Sequence, residues 1–364
     1  MTTRKALIFS LASIALIATL TLAGAELLAR LAGIQPWVKA DLQIHVMPTG
    51  RFFTPHPTRG YAQLPGTFVV TLPSSYSFTV THLPGGLRIT HPLVTYTKRR
   101  PKPEIWIMGC SFTHGWSLND QDTYPWLLQA RLAQYEVVNH GVEGYGTLHA
   151  LLQLREALTT QPPPRVVVYA YASLHDERNT FLRNRRKTIA PWSRLGPLLQ
   201  PYVRLDGHGQ LRAAMARTEY TEFPFMRYSA FVHFLEMTYN RLEDVWSESH
   251  QVSERLVLEM AELADQYQVK LVIATIAEDE RSREMLAFAQ AHGLMGVDIS
   301  VDSNRQEYRN WPHDSHPSPL ANVHYAERLE SFLRTDVLGK DYTHQRIVRP
   351  DKYALNDRHH PPAL

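Results

Sequence analysis

Ile105-Trp106-Ile107-Met108-Gly109-Cys110-Ser111 is a short apolar run that stops at a glycine, a cysteine and a serine. A run without polar alternation reads as a strand buried on both faces, as in a parallel sheet. The pattern repeats outward from it. A helical stretch from Tyr124 to Leu132 leads into Glu136-Val137-Val138-Asn139, which runs into a loop carrying Gly141, Gly144 and Gly146. An amphipathic helix from Leu148 to Leu158 precedes a third strand, Arg165 to Tyr171. Further on, a helix from Arg255 to Tyr267 and a strand from Lys270 to Ile276 follow. A helix from Ser282 to His292, a short strand from Met295 to Ser300 and a closing helix from Ala321 to Leu333 complete the series. Apolar strands alternating with helices predict an α/β domain whose parallel sheet is covered on both faces.

Sites in such sheets gather at the carboxyl ends of the strands. That rule selects Ser111 after the first strand and Gly144 in the loop after the second. It also selects His175 and Asp176 after the third, and Asp314 and His316 before the last helix. A serine, a histidine and carboxylates meeting on one edge are the parts of a nucleophile activated by a base that an acid orients.

These segments resemble the motif blocks of SGNH (GDSL-type) hydrolases. Gly109-Cys110-Ser111-Phe112-Thr113 is similar to the family's Gly-Asp-Ser block. Asn139-His140-Gly141-Val142-Glu143-Gly144-Tyr145-Gly146 is similar to its second block. Asp314-Ser315-His316-Pro317, with Ala321-Asn322 behind it, is similar to its final Asp/His block. The likeness covers roughly residues 105 to 335, and the lead-in pieces Gly60-Tyr61 and Gly86-Leu87-Arg88 resemble those of membrane-anchored bacterial members. It implies a flavodoxin-like three-layer sandwich with Ser111 as nucleophile, His316 as general base and Asp314 holding the imidazole. The backbone N–H groups of Ser111 and Gly144 would form the oxyanion hole. The sequence departs from the pattern at three places. Cys110 stands where the family has Asp. Asp314 and His316 are one residue apart rather than two, with His313 three before the base. The third block, which normally supplies an Asn to the oxyanion hole, reads Ala172-Ser173-Leu174-His175-Asp176-Glu177-Arg178-Asn179, so that His175, or less favourably Asn179, would be the third donor.

Each residue also has a plainer reading. Ser111 could cap the helix that follows it. Cys110 reads as a small buried hydrophobe rather than a thiol nucleophile. The glycine order of 141, 144 and 146 is wrong for a dinucleotide loop. His313, Asp314 and His316 could in principle ligate a metal, but no Cys cluster or second His pair has metal-site spacing, so no metal or cofactor is expected.

The rest of the chain divides by composition. Arg4 and Lys5 precede an uncharged run from Ala6 to Ala25, and the helical pattern continues through Gly33. Twenty helical residues rise about 30 Å, enough to cross a bilayer. Residues 1–33 are therefore expected to anchor the chain, with the remainder on the outer face of a bacterial cytoplasmic membrane. Cleavage near Ala25 to give a secreted protein is the alternative. Residues 34–104 read as a small β-rich lead-in with strands at Thr67–Leu72, Ser77–Thr81 and Leu87–Thr90, and no chemistry is evident there. The catalytic-type domain would span 105–335 and carry an insertion at about 180–250. That insertion holds Arg183, Arg185, Arg186 and Lys187, the aromatics Trp192, Tyr202, Tyr220, Phe223, Phe225, Tyr228, Phe231 and Phe234, and a hairpin turn at Asp206-Gly207. It could shape a pocket for an acylated glycan or lipid, or be a cap with its own small core and a solvated face. Residues 336–364 form a polar tail in which His359-His360 is expected to be solvated. A net charge of +3 over 364 residues gives no reason to expect a nucleic-acid partner, and one cysteine excludes an intrachain disulfide.

Two function classes follow. The first is a serine esterase or O-acylhydrolase, with an O-acyltransferase as its variant, acting on an ester-bearing small molecule, glycan or lipid. The second is an anchored, non-catalytic scaffold or glycan-binding accessory protein.

Overall fold

The computed structural model describes residues 3–39, 43–96, 101–190, 195–196 and 198–339. Trp192, the His359-His360 pair and the tail from 340 onward lie outside the described residues. In chain order, helix α1 (Thr3–Leu31) precedes β1 (His45–Met47), β2 (Phe53–His56), β3 (Gly60–Gln63), β4 (Gly66–Thr71), β5 (Ser77–His82) and the short α2 (Leu93–Tyr96). The main domain then runs β6 (Glu104–Met108), α3 (Ser111–His114), α4 (Tyr124–Arg131), β7 (Glu136–Asn139), α5 (Thr147–Thr160), β8 (Val166–Tyr171), α6 (His175–Asn179) and α7 (Arg183–Ile189). After a hairpin of β9 (Leu199–Leu205) and β10 (Leu211–Arg217) come α8 (Ala230–Trp246), α9 (Ser249–Gln266), β11 (Lys270–Thr275), α10 (Glu280–Ala291), β12 (Met295–Asp298) and α11 (Pro319–Phe332).

The central sheet has five strands in the order β12-β11-β8-β6-β7, all parallel. This is the flavodoxin-like doubly wound order, and its switch point lies between β6 and β8, where the order reverses. Side chains of β6 alternate between the two faces, as strand geometry requires. Trp106 and Met108 enter one core with α5 and α9, while Ile105 and Ile107 enter the other with α4 and α11. The side chains of β8 and β11 are buried along their whole lengths.

The lead-in is tied into this sheet rather than appended to it. Strands β1, β4 and β5 form an antiparallel sheet with Phe68, Val70, Phe78 and Val80 buried beneath it. The expected strand at Leu87–Thr90 is reduced to isolated bridges of Arg88, to His82 on one side and Asn139 of β7 on the other. The buried guanidinium of Arg88 pairs with Asp120 and donates to the carbonyls of His114, Gly115 and Leu118, gripping the turn that follows Ser111.

Residues Arg4–Leu31 are long and apolar enough to cross a membrane, a test that a leader sequence also passes. The last turns of α1 rest on the insertion. The Glu26 carboxylate accepts from Ser229 Oγ and from the N–H groups of Ala230 and Phe231 (2.6, 3.0 and 2.9 Å), so it caps the first turn of α8 from outside. Arg30 donates to Tyr228 O at 3.3 Å.

Candidate active site

Ser111 reaches the carboxyl edge because β6 ends in Gly109. A Cβ there would lie 2.3 Å from Thr113 Oγ1 and 3.2 Å from Ala170 O, so only glycine lets the strand pass between α3 and β8. Cys110 is fully buried, as a small hydrophobe would be. Ser111 is the first residue of α3, not its cap. Ser111 Oγ lies 3.0 Å from His316 Nε2.

The other ring nitrogen of His316 is bonded to Asp314 Oδ1. With the Nδ1 proton held there, Nε2 is left as an acceptor for the serine O–H. The one-residue spacing works through a side-chain turn: Asp314 Oδ1 also accepts the backbone N–H of His316 at 2.6 Å. Trp116 Nε1–H donates to Oδ2 at 3.2 Å. Burial of the Asp314 carboxyl favours its neutral form, but the hydrogen bonds and charge of His316, with the indole N–H, outweigh this and hold it below the usual carboxylate range. His313 stands apart, stacked on Tyr76 with ring centroids 4.5 Å apart. Among the described residues no group of His, Cys, Asp and Glu could hold a metal ion.

Gly144 sits at φ +78°, where a Cβ would be 2.5 Å from Tyr61 Oη and 2.6 Å from Arg185 Nη2. The backbone N–H groups of Ser111 and Gly144 have no acceptor among the described residues. Both residues line one cavity of about 380 Å³, together with His316. Its walls are mostly apolar. The lead-in contributes Ile44, Val46, Phe52 and Phe53, and the insertion contributes Ile189, Leu195 and Leu198. Reading the lead-in as free of chemistry is thus corrected. Tyr61 Oη donates to Glu143 O at 2.5 Å and Gln63 to the Glu143 carboxylate at 2.9 Å, so the lead-in also fixes the Gly144 loop.

The expected third oxyanion donor is corrected as well. His175 is fully buried and does not line the cavity; its Nδ1 is 2.8 Å from Tyr169 Oη. Asn179 is saturated: it accepts from Leu148 N and donates to Thr147 Oγ1 and Ser253 Oγ. The physical reason is that α6 starts just after β8 and packs on α5 and α9, which turns Asn179 onto those helices and His175 onto Tyr169 and Tyr171 of β8. Asp176 goes the same way, accepting from Tyr171 Oη and Ser253 Oγ. In their place, Arg178 and Arg185 line the cavity beside Gly144. The sequence marks Arg185 only as one member of the insertion's basic run, with nothing local to set it apart from Arg183 and Arg186, and Arg178 lies outside that run.

No protein-family model matches the sequence, and no curated protein matches it. The chain is similar to solved structures of lipolytic hydrolases. One is a lipolytic G-D-S-L protein from Veillonella parvula (13% identity over 64% of this chain and 98% of that one, TM-score 0.38). Another is a GDSL-like lipase from Bacteroides thetaiotaomicron (14% identity, 68% and 94%, TM-score 0.36). TesA is similar to the same degree (15% identity, 64% and 98%, TM-score 0.39).

Proposed function

We propose that the protein is a serine esterase or O-acylhydrolase in which Ser111, His316 and Asp314 act together. The observation that carries this reading is the continuous hydrogen-bonded line from Ser111 Oγ through both nitrogens of His316 to Asp314. The resemblance of the motif blocks points the same way. In this reading His316 Nε2 takes the serine proton as Oγ attacks the ester carbonyl. The tetrahedral oxyanion is received by the free N–H groups of Ser111 and Gly144, each such donor being worth about 3 kcal/mol in a preorganised site. Collapse expels the alcohol, which takes the proton back from His316. A water then attacks the acyl-serine by the same route. The apolar walls suit the hydrocarbon of an acyl group. The N-terminal helix supports placement on the outer face of a cytoplasmic membrane, by its length, its composition and the basic residues before it.

Fluorophosphonate labelling of intact protein at pH 8 tests the reading. Wild type is expected to label and Ser111→Ala is not. Absence of label in both, or equal labelling of both, would overturn it. Hydrolysis of a panel of nitrophenyl esters from acetate upward should favour the longer chains if the apolar walls receive the acyl group.

A further inference from the structure

We propose that the cavity contains an anion subsite formed by Arg178 and Arg185, so that its ester substrate carries a phosphate or carboxylate close to the scissile bond. This deepens the esterase reading and rests on it only for where the ester lies.

The basic residues of α7 divide into two sets. Arg183 and Lys187 pair with the buried Glu236, and Arg186 lies over the ring of Phe181. Arg185 has no such partner. It is 8% exposed and lines the cavity, and its Nη2 donates to the carbonyl of Gly144 at 2.8 Å. Arg178, on α6, lines the same cavity and donates from Nη1 to Tyr145 O at 2.8 Å, while its buried Nε has no acceptor among the described residues. Among the described residues neither guanidinium has a carboxylate within salt-bridge distance. Of the nearby acids, Glu143 also lines the cavity but its carboxylate is held by His114 and Gln63, and Glu177 is engaged by Asn184. Arg51 lines the cavity too and adds positive charge.

Two like charges in a mostly apolar cavity are costly unless something neutralises them. Burial, and then the charge of Arg178, pull the pKa of Arg185 down to about 10, which registers that cost. A planar fork that has spent one N–H on a backbone carbonyl keeps others for an acceptor in the cavity. Carboxylate and phosphate oxygens match that geometry. Because the carbonyl oxygens held belong to Gly144 and Tyr145, the same two side chains fix the loop whose N–H faces the reacting carbonyl. An anion seated on them would lie within reach of an ester at Ser111.

The test pairs a neutral ester with phosphate-bearing and carboxylate-bearing esters of the same acyl chain and leaving group, at low ionic strength. Wild type is expected to favour an anionic ester in kcat/KM by about tenfold or more, a preference that salt erodes. Arg178→Gln and Arg185→Gln should each cut the anionic-to-neutral ratio by about tenfold, and Arg185→Lys should restore part of it. A wild-type ratio of one or less overturns the proposal. So does an equal loss on both ester types, which would mean that the arginines only brace the loop. Presenting the esters as monomers and in phosphatidylcholine vesicles separates a soluble anion from a lipid headgroup; preference in either supports the subsite, and in neither overturns it. Calorimetric binding of octyl phosphate to Ser111→Ala is independent of turnover. Binding that weakens in the Arg→Gln variants, with their thermal unfolding unchanged, supports the subsite even where fluorophosphonate labelling fails. No binding to Ser111→Ala overturns it even where labelling succeeds.

Discussion

Asp314 uses one carboxylate oxygen twice, for the ring and for the backbone N–H of His316. The turn and the imidazole orientation therefore depend on the same atom. Asp314→Asn can keep the turn, because an amide oxygen also accepts the backbone N–H. It puts an N–H donor within reach of Nδ1 and favours the wrong tautomer. Loss of kcat on the order of a thousandfold to ten-thousandfold is expected, with the fold retained by circular dichroism. Gly144→Ala should cost about 1–3 kcal/mol in urea unfolding, because it combines a left-handed φ with contacts to Tyr61 and Arg185. It should also abolish turnover by moving the loop. The sequence places Ser111 and Gly144 directly after strands and Asp314 and His316 in the loop before the last helix, and the structure brings Ser111, Gly144 and His316 to one cavity. The side-chain directions of His175 and Asn179 were not legible in sequence. Position after a strand fixes where the backbone is, whereas a helix begun there chooses which face receives the side chain.

At the scale of elements, the central strands could be read to within a residue or two, since an unbroken apolar run of β-branched residues has few other fates. The lead-in was harder. Its strands β1 to β3 are three or four residues long and carry mixed burial, so no period develops. Helix α8 was missed among the insertion's aromatics, several of which, including Phe234 and Trp246, it leaves exposed. The lead-in acts through single long-range contacts. Tyr61→Phe removes the hydroxyl that holds Glu143 O and should cost about 1 kcal/mol of stability, with a larger loss in kcat/KM because the Gly144 loop is freed. Thermal unfolding beside ester hydrolysis separates the two effects.

For the whole molecule, acid is the informative perturbation. Burial holds the imidazoles of His82, His140 and His149 down to about 3. Unfolded, each returns to about 6.5. Between these limits the unfolded chain binds more protons than the folded one, so stability falls as pH drops below about 6.5. Glu143 adds to this from below the ordinary carboxylate range. Burial disfavours its charge, but His114, His82 and Gln63 outweigh that and hold it at about 2. His250, raised by Asp176 against the effect of its burial, works in the opposite sense and offsets one such group. The urea midpoint should therefore fall steadily from pH 7 to pH 5. His140 packs on Trp106 and, among the described residues, neither of its ring nitrogens has a partner, so His140→Leu should flatten that slope.

Helix α1 is unbroken to Leu31, and Glu26 and Arg30 fasten its last turns to the start of α8 and to Tyr228 just before it. Were α1 to span a bilayer, such a joint would make it a stiff mast rather than a tether. The domain would then spin about the membrane normal with little room to swing. The mouth of the cavity would then ride at one altitude, and an ester would have to present itself at that height to be cut. Lengthening or shortening the mast by a few residues would raise, lower and rotate the site together, and would change which molecules it meets without touching a single residue that does chemistry.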